Sequence, residues 1–251
     1  MIRLAIAAIC SIWFLASAGF AGEGADGPIF ELRRYTTPEG RLPDLHRRFR
    51  DHTVALFAKH GAKNVIYWVP GDEPNTLVYL LKHDSQAARD ASFAAFRADP
   101  EWQKVRAESE KNGSLTTKVE STILKATDYS PTDFSAAEPG SIYELRIYTT
   151  EEGRLPALNA RFRDHTCKLF EKHGMHNSLY TTPQDAERQN NTLVYVIAHK
   201  DQAAADASWK AFGSDPEWKQ VAAESQKDGR ILKQGGVKRI YLRTTDYSPI
   251  K

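Results

Sequence analysis

Phe30-Glu31-Leu32-Arg33-Arg34-Tyr35-Thr36-Thr37 reads as one alternating strand, and Tyr143-Glu144-Leu145-Arg146-Ile147-Tyr148-Thr149-Thr150 reads as the same strand a second time. The stretches downstream of the two strands match as well. Gly40-Arg41-Leu42-Pro43 returns as Gly153-Arg154-Leu155-Pro156, and Phe49-Arg50-Asp51-His52-Thr53 as Phe162-Arg163-Asp164-His165-Thr166. Asp99-Pro100-Glu101-Trp102 returns as Asp215-Pro216-Glu217-Trp218, and Thr127-Asp128-Tyr129-Ser130-Pro131 as Thr245-Asp246-Tyr247-Ser248-Pro249. Self-similarity on this scale means one structural unit used twice. The copies span 28–131 and 142–251. The stretch 132–141, with small residues and a proline, reads as a linker.

Within the first copy, 30–35 is a strand and Thr37-Pro38-Glu39-Gly40 a turn. Leu45, Phe49, His52 and Leu56 recur at three- and four-residue spacing, which predicts a helix over 43–60 ended by Gly61. Strands over 65–69 and 76–82 flank the turn Pro70-Gly71-Asp72-Glu73-Pro74. The next element is a helix over 85–97. Asp99 caps another, with Pro100 at its first position, and 118–125 is the last strand. The order β-α-β-β-α-β is the ferredoxin-like unit, an α+β fold. Its helices cover one sheet face and leave the other bare. Two copies packed bare face to bare face close an eight-strand barrel, and a chain carrying both copies needs no oligomer to close it.

The 251 residues are 41% hydrophobic and 26% charged, with a net charge of +2. Near-neutrality supplies no field to steer DNA or RNA, so a nucleic-acid partner is not expected. Residues 1–21 read as a signal peptide: Arg3 precedes an apolar run from Leu4 to Leu15, and small residues allow cleavage after Ala18 or Ala21. The expected location is periplasmic or secreted. No other stretch is apolar enough to span a bilayer. Cys10 departs with the signal. Cys167, whose counterpart is Val54, then has no disulfide partner and reads as a small buried hydrophobe rather than a nucleophile.

Taken together, Glu144-Leu145-Arg146-Ile147-Tyr148-Thr149-Thr150, Phe162-Arg163-Asp164-His165-Thr166, Lys172-His173-Gly174, Ser208-Trp209-Lys210-Ala211-Phe212 and the terminal Thr245-Asp246-Tyr247-Ser248-Pro249 resemble the NIPSNAP family. Copy one departs slightly, with Arg34 where Ile147 stands and Phe93 where Trp209 stands. The resemblance covers both copies and implies the dimeric α+β barrel superfamily, here closed within one chain. That superfamily includes small monooxygenases, haem-handling enzymes and binding proteins. The resemblance therefore implies a fold and leaves the chemistry open.

Strand residues alternate faces. Phe30, Leu32 and Arg34 share one side; Glu31, Arg33 and Tyr35 share the other, matched by Glu144, Arg146 and Tyr148. The mostly apolar set is expected to pack on the helices and the polar set to point into the barrel. There the arginines would bind an oxyanion, the glutamates handle protons and the tyrosines shape a pocket for a small molecule. The competing reading is a buried Glu–Arg network that locks the two halves in register.

His52 and His165 fall on the apolar helix face and read as core histidines before catalytic bases or haem ligands. His60 and His173 precede helix-ending glycines and read as caps. His83 and His199 end strands and could line a barrel mouth. Trp102 and Trp218 read as helix core. No phosphate loop, zinc-protease pair, paired Cys motif or nucleophile elbow is present, so no metal site is expected and no cofactor is indicated, with haem open only through the resemblance. Three functions remain: an exported small-molecule binder, a cofactor-free or haem-dependent enzyme of monooxygenase type, or an interaction scaffold around an inert barrel.

Overall fold

The computed structural model describes residues 27–131 and 133–251. The signal peptide expected over 1–21 lies outside the described residues. The first repeat runs β1 (Ile29–Thr36), α1 (Leu42–Arg48), a π turn (Phe49–Thr53), α2 (Val54–Lys59), β2 (Lys63–Pro70), β3 (Thr76–His83), α3 (Gln86–Ala98), α4 (Pro100–Ser109) and β4 (Lys118–Ala126). The second runs β5 (Ile142–Thr150), α5 (Leu155–Arg161), a π turn (Phe162–Thr166), α6 (Cys167–Lys172), β6 (His176–Pro183), β7 (Thr192–His199), α7 (Gln202–Ser214), α8 (Pro216–Glu224) and β8 (Leu232–Thr244). Local chemistry sets the boundaries. Ser85 and Asp201 accept from Ala88 and Ala204 N–H to start α3 and α7. Asp99 and Asp215 do the same for α4 and α8, each with proline next.

The strands close a barrel in the order β1-β3-β2-β8-β5-β7-β6-β4. Every pairing is antiparallel. Two short reciprocal junctions join the halves of the barrel: β2 to β8 at Trp68–Pro70, and β4 to β6 at Leu124–Ala126. The expected α+β fold, two ferredoxin-like repeats forming one barrel within the chain, is thus observed.

The direction of the first strand is opposite to the expectation. Phe30 and Leu32 pack with Ile66, Trp68, Val78 and Leu80 from the first repeat and with Tyr143, Leu145, Val194 and Val196 from the second. These are the barrel interior, and it is an apolar core. The other strand face meets the helices: Tyr35 packs with Phe49 and Tyr79, and Tyr148 with Phe162 and Tyr195. Glu31, Arg33, Glu144 and Arg146 therefore lie between sheet and helices, not inside the barrel. An interior walled by eight strands gives two Glu–Arg pairs no water and few donors. Beneath the helices the same groups meet side chains that can donate to them. Arg34, expected against the helices, instead sits on the interior face and pairs with Glu73 and Glu120.

The long helix also departs from the simple period. In the π turn the Val54 N–H bonds the Phe49 carbonyl and the Thr53 hydroxyl donates to the Arg48 carbonyl at 3.2 Å. Cys167 N–H and the Thr166 hydroxyl repeat this in the second copy. One inserted residue rotates the following face by roughly 100°. Thr53 rather than His52 then continues the buried row from Phe49 to Phe57. His52 and His165, expected in the core, are exposed.

The repeated C-terminal motif of each copy crosses to the other copy. Tyr247 packs on Phe49 and Tyr67, while Tyr129 packs on Phe162 and Tyr180. Ser248 Oγ accepts from Tyr67 N–H, and Ser130 Oγ from Tyr180 N–H. The linker also packs: Phe134 lies against Trp68 and Tyr143. Cys167 is half-buried among the second repeat's helix-side apolar residues.

Candidate functional site

Two groups of polar side chains recur in each repeat, and between them they hold the strand-one residues and the histidines His52, His165, His83 and His199. The first is a cluster beneath α3 and α7. In repeat one, Arg33 Nη1 donates to Glu31 at 2.5 Å, its Nη2 donates to Tyr35 and its Nε to Tyr79. Arg89 from α3 donates to both Glu31 oxygens at 2.8 and 3.2 Å, Ser121 donates at 2.6 Å, and His83 Nε2 stands 3.3 Å away. Glu31 is fully buried. Burial pushes its pKa up, but His83, Arg89, Arg33 and Ser121 together outweigh that and hold it well below the usual carboxylate range.

Repeat two keeps the core of this cluster and changes its lid. Arg146 donates to Glu144 at 2.5 Å and to Tyr148 at 2.8 Å, and His199 Nε2 lies 3.0 Å from Glu144. Ala205 stands where Arg89 does, and the Trp209 indole N–H bonds Glu144 at 2.8 Å where Phe93 has no donor. Burial raises the Glu144 pKa; His199, Arg146 and Trp209 reverse the sign and hold it below normal. In both clusters the carboxylate and the strand arginine are paired within the protein, while Nδ1 of His83 and of His199 and the Tyr195 hydroxyl are buried without a hydrogen-bond partner. Each cluster locks strand to helix within its own repeat, rather than one repeat to the other. His83 and His199 do not fit a haem, being buried under helices against carboxylates.

The second group lines an open groove beside each π turn, between α1 and α4 in repeat one and between α5 and α8 in repeat two. The first groove has a volume of about 520 Å³ and the second about 380 Å³. His52 lines the first and His165 the second. Each floor holds an arginine that the strand-based reading missed. Arg48 is buried with its guanidinium 5.2 Å from the Trp102 ring centre; Arg161 is buried 5.2 Å from Trp218. Arg48 pairs with Glu110 at 2.9 Å. The signal was available in the sequence: an arginine kept in both copies directly before a core phenylalanine.

The repeated Phe-Arg-Asp-His-Thr motif is the π turn itself. Its phenylalanine fills the core, its arginine holds the crossing arm, its aspartate and histidine line the groove, and its threonine bonds the carbonyl of the buried arginine. π turns inside α-helices are frequent at functional sites. His60 and His173 do not bond terminal carbonyls through their rings. Each instead meets the capping aspartate of the next helix, Asp99 or Asp215, at 2.7 Å. The Cys167 thiol is pushed up to about 11 by burial, which leaves it protonated and unreactive at neutral pH.

Among solved structures, a proposed monooxygenase from Fusobacterium nucleatum subsp. nucleatum is similar at TM-score 0.59 and 12% identity, covering 88% of this chain and 93% of that one. A second proposed monooxygenase, from Lactobacillus acidophilus, is similar at TM-score 0.54 and 12% identity, covering 90% and 100%. At such identity the likeness carries the fold alone. A NIPSNAP family protein from Agrobacterium tumefaciens aligns at 22% identity and TM-score 0.38 over 43% of this chain and 95% of its own. No curated protein matches. The NIPSNAP family matches residues 30–131 and again 143–249, one match for each repeat of the barrel, and the chain belongs to that family.

Proposed function

We propose that this is an exported small-molecule-binding protein whose ligands sit in the two grooves beside the π turns. The observation that carries the reading is the recurrence of one groove in both repeats, each with a buried arginine stacked on a tryptophan and an exposed histidine at the rim. Concavity, an apolar wall and a few convergent polar groups are what ligand sites have in common. The first groove sets Val105 among charged side chains, with Arg48, His52 and Ser109 and with Lys104, Asp51 and Glu108; the second has more apolar side chains, Ala157, Ala160 and Val221, with Arg161, His165 and Ser225. The barrel interior, filled by Phe30, Trp68, Tyr143 and their neighbours, supports no such role. Export is supported by the basic start, apolar run and small residues of the first 21 positions.

Ligand-induced thermal stabilisation across a small-molecule collection tests the binding reading. Compounds that stabilise the mature chain are expected to lose their effect when Val105→Trp and Val221→Trp fill the grooves. Stabilisation unchanged in that double variant contradicts the assignment. Export is tested by the mass of the secreted or periplasmic protein, expected to begin near Gly19 or Gly22. An intact Met1 on the exported protein contradicts it.

A further inference from the structure

The two grooves keep the same arginines and differ in what neutralises them. In the first, Arg41 Nε lies 3.2 Å from Asp44, Arg47 lies 3.3 Å from the same carboxylate, and Arg48 is paired with Glu110. In the second, Arg154 and Arg161 remain, but Ala157 stands for Asp44, Ala160 for Arg47 and Gln226 for Glu110. Both acids are gone and both inner arginines stay. Among the described residues Arg161 has no carboxylate partner; its guanidinium makes one long hydrogen bond, 3.4 Å, to Ser225 Oγ. It is 7% exposed; its Nε is buried without a partner, as Arg48 Nε is in the first groove, so the difference between the two lies in the missing carboxylate. Arg154 Nε is likewise buried and unpartnered, its Nη2 being used on the Ser225 and Gly229 carbonyls.

A buried guanidinium is stable only with a counter-charge or acceptors to fill its donors. Burial lowers the Arg161 pKa, with only the phenols of Tyr148 and Tyr195 opposing it. We infer that the second groove alone is an oxyanion site: it takes a small organic monoanion, the carboxylate on Arg161 and the apolar body against Ala157, Ala160 and Val221. Two oxygens match the edge of a guanidinium better than a single point charge would. Asp164, Glu224 and Asp228 also line this groove, all exposed, with Glu224 held by Lys227 at 2.6 Å. They oppose any anion at the rim and a multiply charged one most, so the floor is left to a ligand carrying a single charge. In the first groove Glu110 already holds Arg48, so its floor takes no anion, although Lys104 and Lys111 stand at its rim.

This inference rests on the groove reading under Proposed function and deepens it. Calorimetric titration of the mature chain with benzoate, acetate and inorganic phosphate tests it, with Trp218 fluorescence as a second readout. Benzoate is expected to bind at one per chain and more tightly than acetate, because only benzoate covers the apolar wall. Ala157→Asp with Gln226→Glu rebuilds the acids of the first groove, a change that the first repeat shows the fold accommodates. It is expected to weaken benzoate at least about tenfold. Conversely, Asp44→Ala with Glu110→Gln is expected to open a second site and raise the stoichiometry to two. Benzoate bound equally well by the Ala157→Asp, Gln226→Glu variant overturns the inference. Phosphate bound as tightly as benzoate overturns the assignment of an apolar body. If neutral compounds stabilise the protein through the grooves while no anion binds, the anion inference falls and the binding function stands. If neither binds, both fall.

Discussion

Arg50 and Asp246, 196 positions apart in the chain, form a two-point ion pair with both N–O distances at 2.8 Å. Arg163 and Asp128 form its mirror image at 2.7 and 2.6 Å. Each pair fixes the terminal arm of one repeat onto the π turn of the other. The pairs themselves are exposed, so each contributes no more than a small fraction of the junction's stability. The arm's tyrosine, packed among the other repeat's aromatics, carries the larger share.

The exchange of arms determines what a single repeat does alone. Residues 27–131 lack the partner that supplies Tyr247 and covers the bare sheet face, and their own Tyr129 has nowhere to dock. We expect that fragment to be unfolded or a homodimer with exchanged arms, as read by light scattering. A stable folded monomer contradicts this. In the full chain, Tyr247→Ala removes a largely buried aromatic from a junction and should cost about 3–5 kcal/mol in denaturant melts.

His46 couples one arm to pH. Its Nδ1 lies 2.8 Å from the Tyr247 hydroxyl, while the second repeat has Asn159 on Tyr129 instead. Burial, aided by the Arg50 charge and opposed by Asp246, pushes the His46 pKa below its ordinary value. The folded state thus binds this proton more weakly than the unfolded chain. The stability it contributes is present above the unfolded value of about 6.5 and is lost as pH falls through the lower folded value. His46→Asn should lose less stability than the parent between pH of about 7.5 and about 5. Equal pH slopes in the two proteins contradict this role.

The two Glu–Arg networks differ in redundancy. Arg146→Met leaves the buried Glu144 with only His199 and Trp209 and should cost about 3–5 kcal/mol. Adding Glu144→Leu should restore most of it. Arg33→Met leaves Glu31 with His83, Arg89 and Ser121, so the loss should be nearer the roughly 1.5–3 kcal/mol of one charged hydrogen bond. Thermal melts of the two variants in parallel check the order. A larger loss for Arg33→Met contradicts the placement of Arg89 as the spare partner.

β8 carries a bulge opposite Tyr148–Thr150, built on Gly235 and Gly236. Gly235 has φ +70°, and a Cβ on Gly236 would meet the Thr149 carbonyl at 2.6 Å. Gly236→Ala should therefore destabilise by about 1–3 kcal/mol through a backbone clash. Gly213→Ala, in open space on α7, should not destabilise. Equal melting temperatures for Gly236→Ala and the parent contradict the close approach.

Repetition made the barrel legible in the sequence, because every element could be read twice. The facing of strand one was not legible. Both of its faces are buried, so polarity alone could not say which met the helices; Leu32 and Leu145 face the core of the barrel, while Glu31 and Glu144 find their donors on α3 and α7. His52 was misplaced because a π turn leaves no mark in a three- and four-residue period. The terminal Thr-Asp-Tyr-Ser-Pro motif was visible as a repeat, but its partner lies on the other half of the chain, at a distance no local pattern encodes. The grooves were half legible: their histidines stood out, and the buried arginines Arg48 and Arg161 behind them were not singled out by any motif.

Backbone amide NMR of residues 22–251, titrated with a compound that stabilises the protein, separates the groove from the barrel. We predict shift changes confined to the π turns and to α4 or α8, around Thr53, Val105 and Ser109 or around Thr166, Val221 and Ser225. Changes centred instead on Leu80, Leu145 and Val196, inside the barrel, would contradict ligand binding in the grooves.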